Sequence, residues 1–464
     1  MSSSNYDIPD ASDAQNKMLA SIAQDFQTSD EHLEAVANEV YGYLSAGLQN
    51  DGAPRSLPSH ISYIRPEIIR DIKQASRDGC VALGLTINTT AQRIKIASIT
   101  FDRTGGDAIN KQIFLPQAPI NTASDFFEAA ATDVAVFINS HNLAPDHGQP
   151  PLLMGVTIDL PLEETGKNNG RVVGSGRKCP SIFENVDIAQ GLNAVLIKKH
   201  LPVRVTSTTN CVISTLVVSQ NRFHNTSVAL ILNHGVNAAY YEATSKIAKI
   251  SDTELGSSNS RIAINTELAH YGKGSQVLKR TQWDNRIDRE SENTGDHIFE
   301  KLVADKYLGE IVRNLITDFM DAQLLFPRNA DATTFSQGYS FYTSYMIIME
   351  DCSPDLCEVG NLLAAGFNIQ SSVVDRRIVR ALCKIVAMRA ARLVGAACAA
   401  IVKKSSEALP NPEPVVASIS GQLTDMNQPT AESLIAGYGL EKATFYILGE
   451  DGYTVGAALT SLSR

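Results

Sequence analysis

The sequence predicts an α/β fold on two observations. Short β-prone runs alternate with segments of helical period along the chain, the pattern of sheets covered by helices. Two strand–turn–strand stretches of one kind also recur far apart. They are "CVALGLTI", "NTTAQ", "RIKIASITF" within residues 79–101, and "SVALIL", "NHG", "VNAAYYEA" within residues 226–243. In each, "VAL" leads towards a polar turn, so a duplicated core unit is expected.

The elements follow in order. Residues 1–16 are polar and read as a disordered tail. Residues 17–49 carry apolar positions at helical spacing in "SDEHLEAVANEVYGYLSAGL", with Ser29 as N-cap and Glu31 and Glu34 in the early turns. A connection through Leu57 and Pro58 leads to the two strand–turn–strand stretches. After residue 290 the period turns helical in "DHIFEKLVADKYLGEIVRNLITDFM". The run "DRRIVRALCKIVAMRAARLVGAACAAIVKK" predicts a long helix of high intrinsic propensity. "ATFYILGEDGYTVGAALTSL" closes the chain as a strand, a glycine-containing turn and a short alanine-rich helix.

At 464 residues the chain exceeds one simple core, so two domains or two lobes are expected. A net charge of −10 argues against a general nucleic-acid binder, which needs a basic face for phosphates. The seven cysteines form no CxxC pair, and several sit in apolar runs, which reads as reduced, buried thiols. No Cys or His cluster has ligand spacing, so no metal site is expected. Asp102 and Asp451 are single acids near turns and do not make a magnesium site. The N-terminus has no apolar signal region, and the run from Leu393 to Val402 reads as a buried helix rather than a membrane span. The expected compartment is the cytoplasm, with the nucleus left open. No membrane association is expected.

A turn that presents backbone N–H groups can cradle phosphate, and glycine permits the close approach. "NTTAQ" has no glycine and "NHG" has only Gly235, so both turns are weak signals for a nucleotide. "TSTTNCVISTL", residues 206–216, is a small polar cluster without an acid, a base or a lysine. Cys211 is its one reactive group.

Several stretches in series carry a resemblance. They are "FQTSDEHLEAVANEVYGYLSAGL", "HGVNAAYYE", "RIAINTELAHYG", "VLKRTQWDNRIDRESENTGDHIFEKLVADKYLGEIVR", "RAARLVGAACAAIV" and "GEDGYTVGAAL". Together they resemble the hexokinase family over nearly the whole chain, and within it the divergent fungal hexokinase-like proteins. The resemblance implies a bilobal, hexokinase/actin-like ATPase architecture with a ribonuclease-H-like sheet in each lobe. Residues 76–208 plus 445–464 would form the small lobe, 209–444 the large lobe, and 17–75 helices packed on the large lobe. In active members an Asp takes the proton of the sugar 6-hydroxyl while ATP, with magnesium, supplies the phosphoryl group.

The resemblance also assigns residues. Asn210, Asn237, Glu267 and Glu300 stand at the sugar-binding positions and keep the amides and carboxylates that hydroxyls require. Cys211 stands where active members carry the catalytic Asp, since "NCVISTL" replaces "NDTVGTL". In the first phosphate hairpin, "GLTINT" replaces "DLGGTN", which puts Gly84 at the Asp and Thr86 and Ile87 at the glycine pair. In the second, Asn233, His234 and Gly235 replace "GTG". Ser420, Gly421 and Gln422 stand at the adenosine-side "DGS", Asp159, Leu160 and Pro161 at "SFP", and Gly176 and Arg177 at "TK".

Losing a positioned base typically costs about 10² to 10⁴ in rate, and losing the glycine turns removes a separate electrostatic contribution. Cys211 therefore reads as an inert replacement, and His234 and Arg177 as solvated loop residues. The leading expectation is a catalytically impaired hexokinase-family protein that keeps part of a hexose site and acts as a sugar-sensing or nutrient-response regulator through protein partners. One alternative is an active ATP-dependent hexokinase, which needs ATP and magnesium. The other is an interaction scaffold without a ligand.

Overall fold

Two sheets of the same strand order frame the protein. The computed structural model describes residues 7–463, except 51, 90–92, 102–106, 116–119, 167, 174–180, 224–225, 250–259, 328–332, 350–352, 409–415, 422–443 and 448–451. Gly176, Arg177, Gln422, Asp102 and Asp451 lie outside the described residues.

The chain opens with α1 (Asp13–Asp25), α2 (Asp30–Gly47), β1 (His60–Ser62) and α3 (Ile68–Asp78). Next come β2 (Val81–Asn88), β3 (Arg93–Phe101), β4 (Asp107–Phe114), α4 (Ala123–Ser140) and β5 (Leu152–Ile158). A small hairpin, β6 (Leu162–Gly166) and β7 (Asn169–Val172), precedes α5 (Ile188–Lys198) and β8 (Val203–Asn210). The first sheet runs β4-β3-β2-β5-β8. Its first three strands pair antiparallel, and β2–β5 and β5–β8 pair parallel.

Helix α6 (Cys211–Arg222) leads into β9 (Thr226–Leu232), β10 (Val236–Ala243) and β11 (Arg261–Asn265). The helical region holds α7 (Gln282–Glu290), α8 (Ile298–Val303), α9 (Asp305–Asp321), α10 (Thr333–Ser336), α11 (Thr343–Ile348), α12 (Cys357–Phe367) and α13 (Val373–Ser406). Strands β12 (Val416–Gly421) and β13 (Thr444–Ile447) and helix α14 (Gly452–Thr460) end the described chain. The second sheet runs β1-β11-β10-β9-β12-β13. Its β9, β10 and β11 pair antiparallel and its β9, β12 and β13 pair parallel, so the first sheet's pattern recurs with β1 added at one edge.

Each unit sends a helix to the other sheet. Helix α6 leaves β8 of the first sheet and packs on β9 of the second, whereas α14 leaves β13 and packs on β2 and β5. This crossing depends on glycine. A Cβ on Gly84 would lie 2.0 Å from the Thr454 carbonyl oxygen, and one on Gly456 2.0 Å from that of Ser214. A buried cluster between the sheets joins Ala82, Val212, Leu216, Ala229, Val455 and Leu459. Helix α13 is the one helix among the described residues long and apolar enough to cross a membrane, and its most apolar window is 89% buried inside the protein. Its Arg389 forms a buried bidentate pair with Asp284 at 2.6 and 2.9 Å.

Three segments bear on the expected boundaries. Strand β13 joins the second sheet beside β12, so within the expected small-lobe segment 445–464 it is α14 that returns to the first sheet. Helix α3 packs on β3 and α6, inside the cluster between the sheets, whereas α1 and α2 pack on α13. Residues 7–16 are ordered where a disordered tail was expected. The Asn16 side chain bonds the N–H and the carbonyl of Ile8 at 3.0 and 3.3 Å, and Ser12 with Gln15 forms a capping box for α1. A polar composition concealed a helix-start motif.

Candidate functional site

A cleft of about 120 Å³ opens where the ends of β2, β5 and β8 meet the turn between β9 and β10. It brings together Asn210, Cys211, Asn237 and Glu267, and also Thr86, Asn233, His234 and Gly235. Asp159, Ala269 and Tyr453 complete the part of the wall that bears on function.

Asn210 ends β8 and caps α6. Its Oδ1 accepts from the Val212 N–H at 3.0 Å, and its Nδ2 donates to the Leu160 carbonyl at 2.9 Å. This is why a polar residue closes a β-prone run there: the helix start needs a side-chain acceptor. An amide has two donor hydrogens and two lone pairs, so Asn210 keeps capacity for a ligand hydroxyl.

Cys211 is the first residue of α6 and is buried. Burial pushes its thiol far up, and the negative charge of Asp159 pushes it further. The Thr157 hydroxyl and the Cys211 backbone act in the opposite sense and are outweighed. A helix N-terminus lowers a thiol in solvent, but here desolvation wins. Cys211 therefore carries a neutral thiol at neutral pH.

Asn237 and Glu267 belong to one network. Asn237 Nδ2 donates to Asn265 Oδ1 at 2.9 Å and to Glu267 Oε1 at 3.4 Å, and Asn265 Nδ2 donates to Glu267 Oε1 at 2.8 Å. Glu267 has φ 53°, a left-handed value unusual outside glycine. Backbone strain of this kind persists where surrounding bonds fix a side chain in place. Glu300, on α8, is buried and accepts from the Val236 N–H at 3.3 Å, behind the cleft wall rather than on it.

The hairpin positions are filled. Thr86 Oγ1 and Thr454 Oγ1 form a buried 2.8 Å hydrogen bond. Asn233 Nδ2 donates to Tyr453 Oη at 2.9 Å. Gly84 lies under α14, where a side chain has no room. His234 is exposed at the turn. Gly421 ends β12, paired with Leu232.

Two sheets of this topology around a polar cleft, with helices crossing between them, define the class of bilobal sugar kinases and actin-like ATPases. The chain belongs to the hexokinase family: two family models, each described as hexokinase, match residues 18–221 and 227–463. Hexokinase-2 of Saccharomyces cerevisiae is 29% identical over 386 residues, covering 82% of this chain and 77% of that protein. Hexokinase of Kluyveromyces lactis is 31% identical over 329 residues, covering 68% of this chain and 67% of that one. The hexokinase from Schistosoma mansoni complexed with glucose has the same fold, with TM-score 0.79, 22% identity, and coverage of 97% of this chain and 100% of that chain.

Hexokinases normally use ATP and magnesium. The described residues do not fit a magnesium–triphosphate cradle. Gly84 leaves no room for a carboxylate, and Thr454 and Tyr453 are bonded to Thr86 and Asn233. The two cleft carboxylates are engaged: Asp159 by the N–H and hydroxyl of Thr89, and Glu267 by Asn237 and Asn265. Sequence reasoning missed Asn265, Thr454 and Tyr453. Asn265 stands in the same "NTE" as Glu267 and was within reach. Tyr453 and Thr454, in "GYTVG", take on meaning only once α14 is placed against both hairpins.

Proposed function

We propose that this hexokinase-family protein is catalytically impaired, keeps part of a hexose site and acts as a sugar-responsive regulator. The observation that carries the reading is the pairing of a neutral, buried thiol at Cys211 with an organised amide–carboxylate set at Asn210, Asn237 and Glu267 in one cleft. Such a set can bond hydroxyls in pairs, while nothing at Cys211 takes a proton. Glu300 supports the set from behind through Val236. The joint loss of the base and both glycine turns favours a role like that of the regulatory fungal hexokinase-like proteins, exerted through protein partners in the cytoplasm or nucleus. ATP and magnesium are needed only if turnover remains. Calorimetric titration with glucose, mannose and N-acetylglucosamine tests the reading. Saturable binding by one of them supports it, and no binding by any leaves a scaffold.

One observation favours a second reading, an active hexokinase. Asp159 lines the cleft, and its charge acts on Cys211, so a carboxylate stands close to the lost base position. Hexose-dependent ATP turnover that disappears in Asp159→Asn would establish it.

A further inference from the structure

We propose that His270, Asp296 and His297 form a binding site for a divalent transition-metal ion of the zinc class, beside the sugar cleft. Their ligand atoms all lie within 4.8 Å of one another. His270 Nδ1 is 3.4 Å from Asp296 Oδ1. Two ligands held tetrahedrally by zinc at about 2.0–2.1 Å stand about 3.3–3.4 Å apart, so this pair already has ligand spacing. The two imidazole rings have centroids 4.2 Å apart.

The site is held in advance. His297 has φ 50° and is 1% exposed, a left-handed and buried position at the start of α8. The loop before it is pinned by Lys301, whose Nζ bonds Asp288 Oδ1 at 2.6 Å and the carbonyls of Asn293 and Asp296 at 2.8 Å each. His270 Nε2 is buried without a hydrogen-bond partner, which leaves Nδ1, the nitrogen that faces Asp296, as the ligand atom. Two imidazoles and one carboxylate suit a borderline cation and leave positions for water.

Access and consequence follow from the surroundings. His270 and Asp296 line an open recess of about 990 Å³, which supplies an entry path. Lys273 Nζ lies 3.7 Å from Asp296 Oδ2 and is 69% exposed, so it swings into solvent when an ion arrives. Ala269, next to His270, lines the sugar cleft, and His297 Nδ1 is 3.9 Å from Glu300 Oε1. The ion therefore sits between the recess and the candidate sugar carboxylates. The sequence reading expected no metal site because His270 is far in sequence from Asp296 and His297; the fold brings them together.

The test uses full-length protein stripped with a chelator and titrated with Co²⁺, read by visible absorption, and with Zn²⁺ by calorimetry. The expected result is one ion per chain, a Co²⁺ ligand-field band displaced by Zn²⁺, and a loss of affinity of at least roughly tenfold in His270→Gln and in Asp296→Asn. Both of those residues are partly exposed, and circular dichroism checks that each variant folds; His297→Gln is the third arm. Binding that is absent in the wild type, or unchanged in the folded His270→Gln and Asp296→Asn variants, overturns the proposal. Neither sugar binding nor turnover is read, so the outcome is independent of the proposed function.

Discussion

Asn233 Nδ2 donates a 2.9 Å hydrogen bond to Tyr453 Oη and so ties the turn of the second hairpin to the first turn of α14. Beside it, the Thr86–Thr454 pair ties α14 to β2 of the first hairpin. Glycines at positions 453 and 454 would remove both ties. The double variant Tyr453→Gly, Thr454→Gly is expected to gain binding of adenine nucleotides relative to the wild type, measured by calorimetry. Equal affinity in both proteins would mean that the side chains do not obstruct the nucleotide.

Restoring the carboxylate alone is expected to fail. Cys211→Asp places an acid in an apolar cluster close to Asp159, whose charge raises its pKa further. A general base contributes about 10² to 10⁴ in rate only when the phosphoryl donor is also bound. Hexose-dependent ATP turnover should stay at background in this variant. Turnover at kinase rates would show that the base was the one missing part.

The sugar set gives a binding prediction. Glu267→Gln is expected to weaken hexose binding by about 10- to 100-fold, the scale of one or two hydrogen bonds to a charged group. The substitution keeps the side chain's shape and its place beside Asn265 and Asn237. Intact binding in this variant would remove Glu267 from the site.

A fourth prediction concerns pH. Glu164 on β6 accepts from Ser62 Oγ at 3.1 Å and from the Tyr63 N–H at 3.0 Å, linking the small hairpin to the β1 edge of the second sheet. Its carboxyl is enclosed, and burial raises its pKa to about 8 against the lowering effect of the two bonds. A carboxyl raised in the folded state binds a proton that the unfolded chain releases. Its contribution to stability is therefore full below about 4.5 and is lost as pH rises towards about 8. The thermal midpoint should fall across that window in the wild type and fall less in Glu164→Gln. Parallel curves would contradict the assignment.

Arg389→Ala gives a stability check on the helical region. It leaves Asp284 buried without its bidentate partner, which is expected to cost about 3–5 kcal/mol. Chemical denaturation measures the loss, and a change within about 0.5 kcal/mol would contradict the role given to the pair.

Much of the fold was legible because it rests on period and local signals. The two "VAL" hairpins became β2–β3 and β9–β10, and the apolar run around Leu393 became the interior of α13. What was not legible lies where tertiary pairing decides. Nothing local shows that β13 joins β12 while α14 crosses to the other sheet. In the site, Asn210, Cys211, Asn237 and Glu267 were named from motif positions and do meet in one cleft, while Glu300 sits behind it. Gly84 looked like a lost carboxylate, and its packing under Thr454 supplies a physical reason why none fits. The His270–Asp296–His297 cluster was illegible because His270 is distant in sequence from the adjacent Asp296 and His297.

We propose that the chain keeps a hexose site and is impaired in phosphoryl transfer. The most direct measurement is a coupled assay of hexose-dependent ATP turnover on full-length protein, at hexose concentrations that saturate binding in the same preparation. The account predicts saturable hexose binding with turnover at background. Turnover near an ordinary enzyme rate of about 10 s⁻¹ would contradict it.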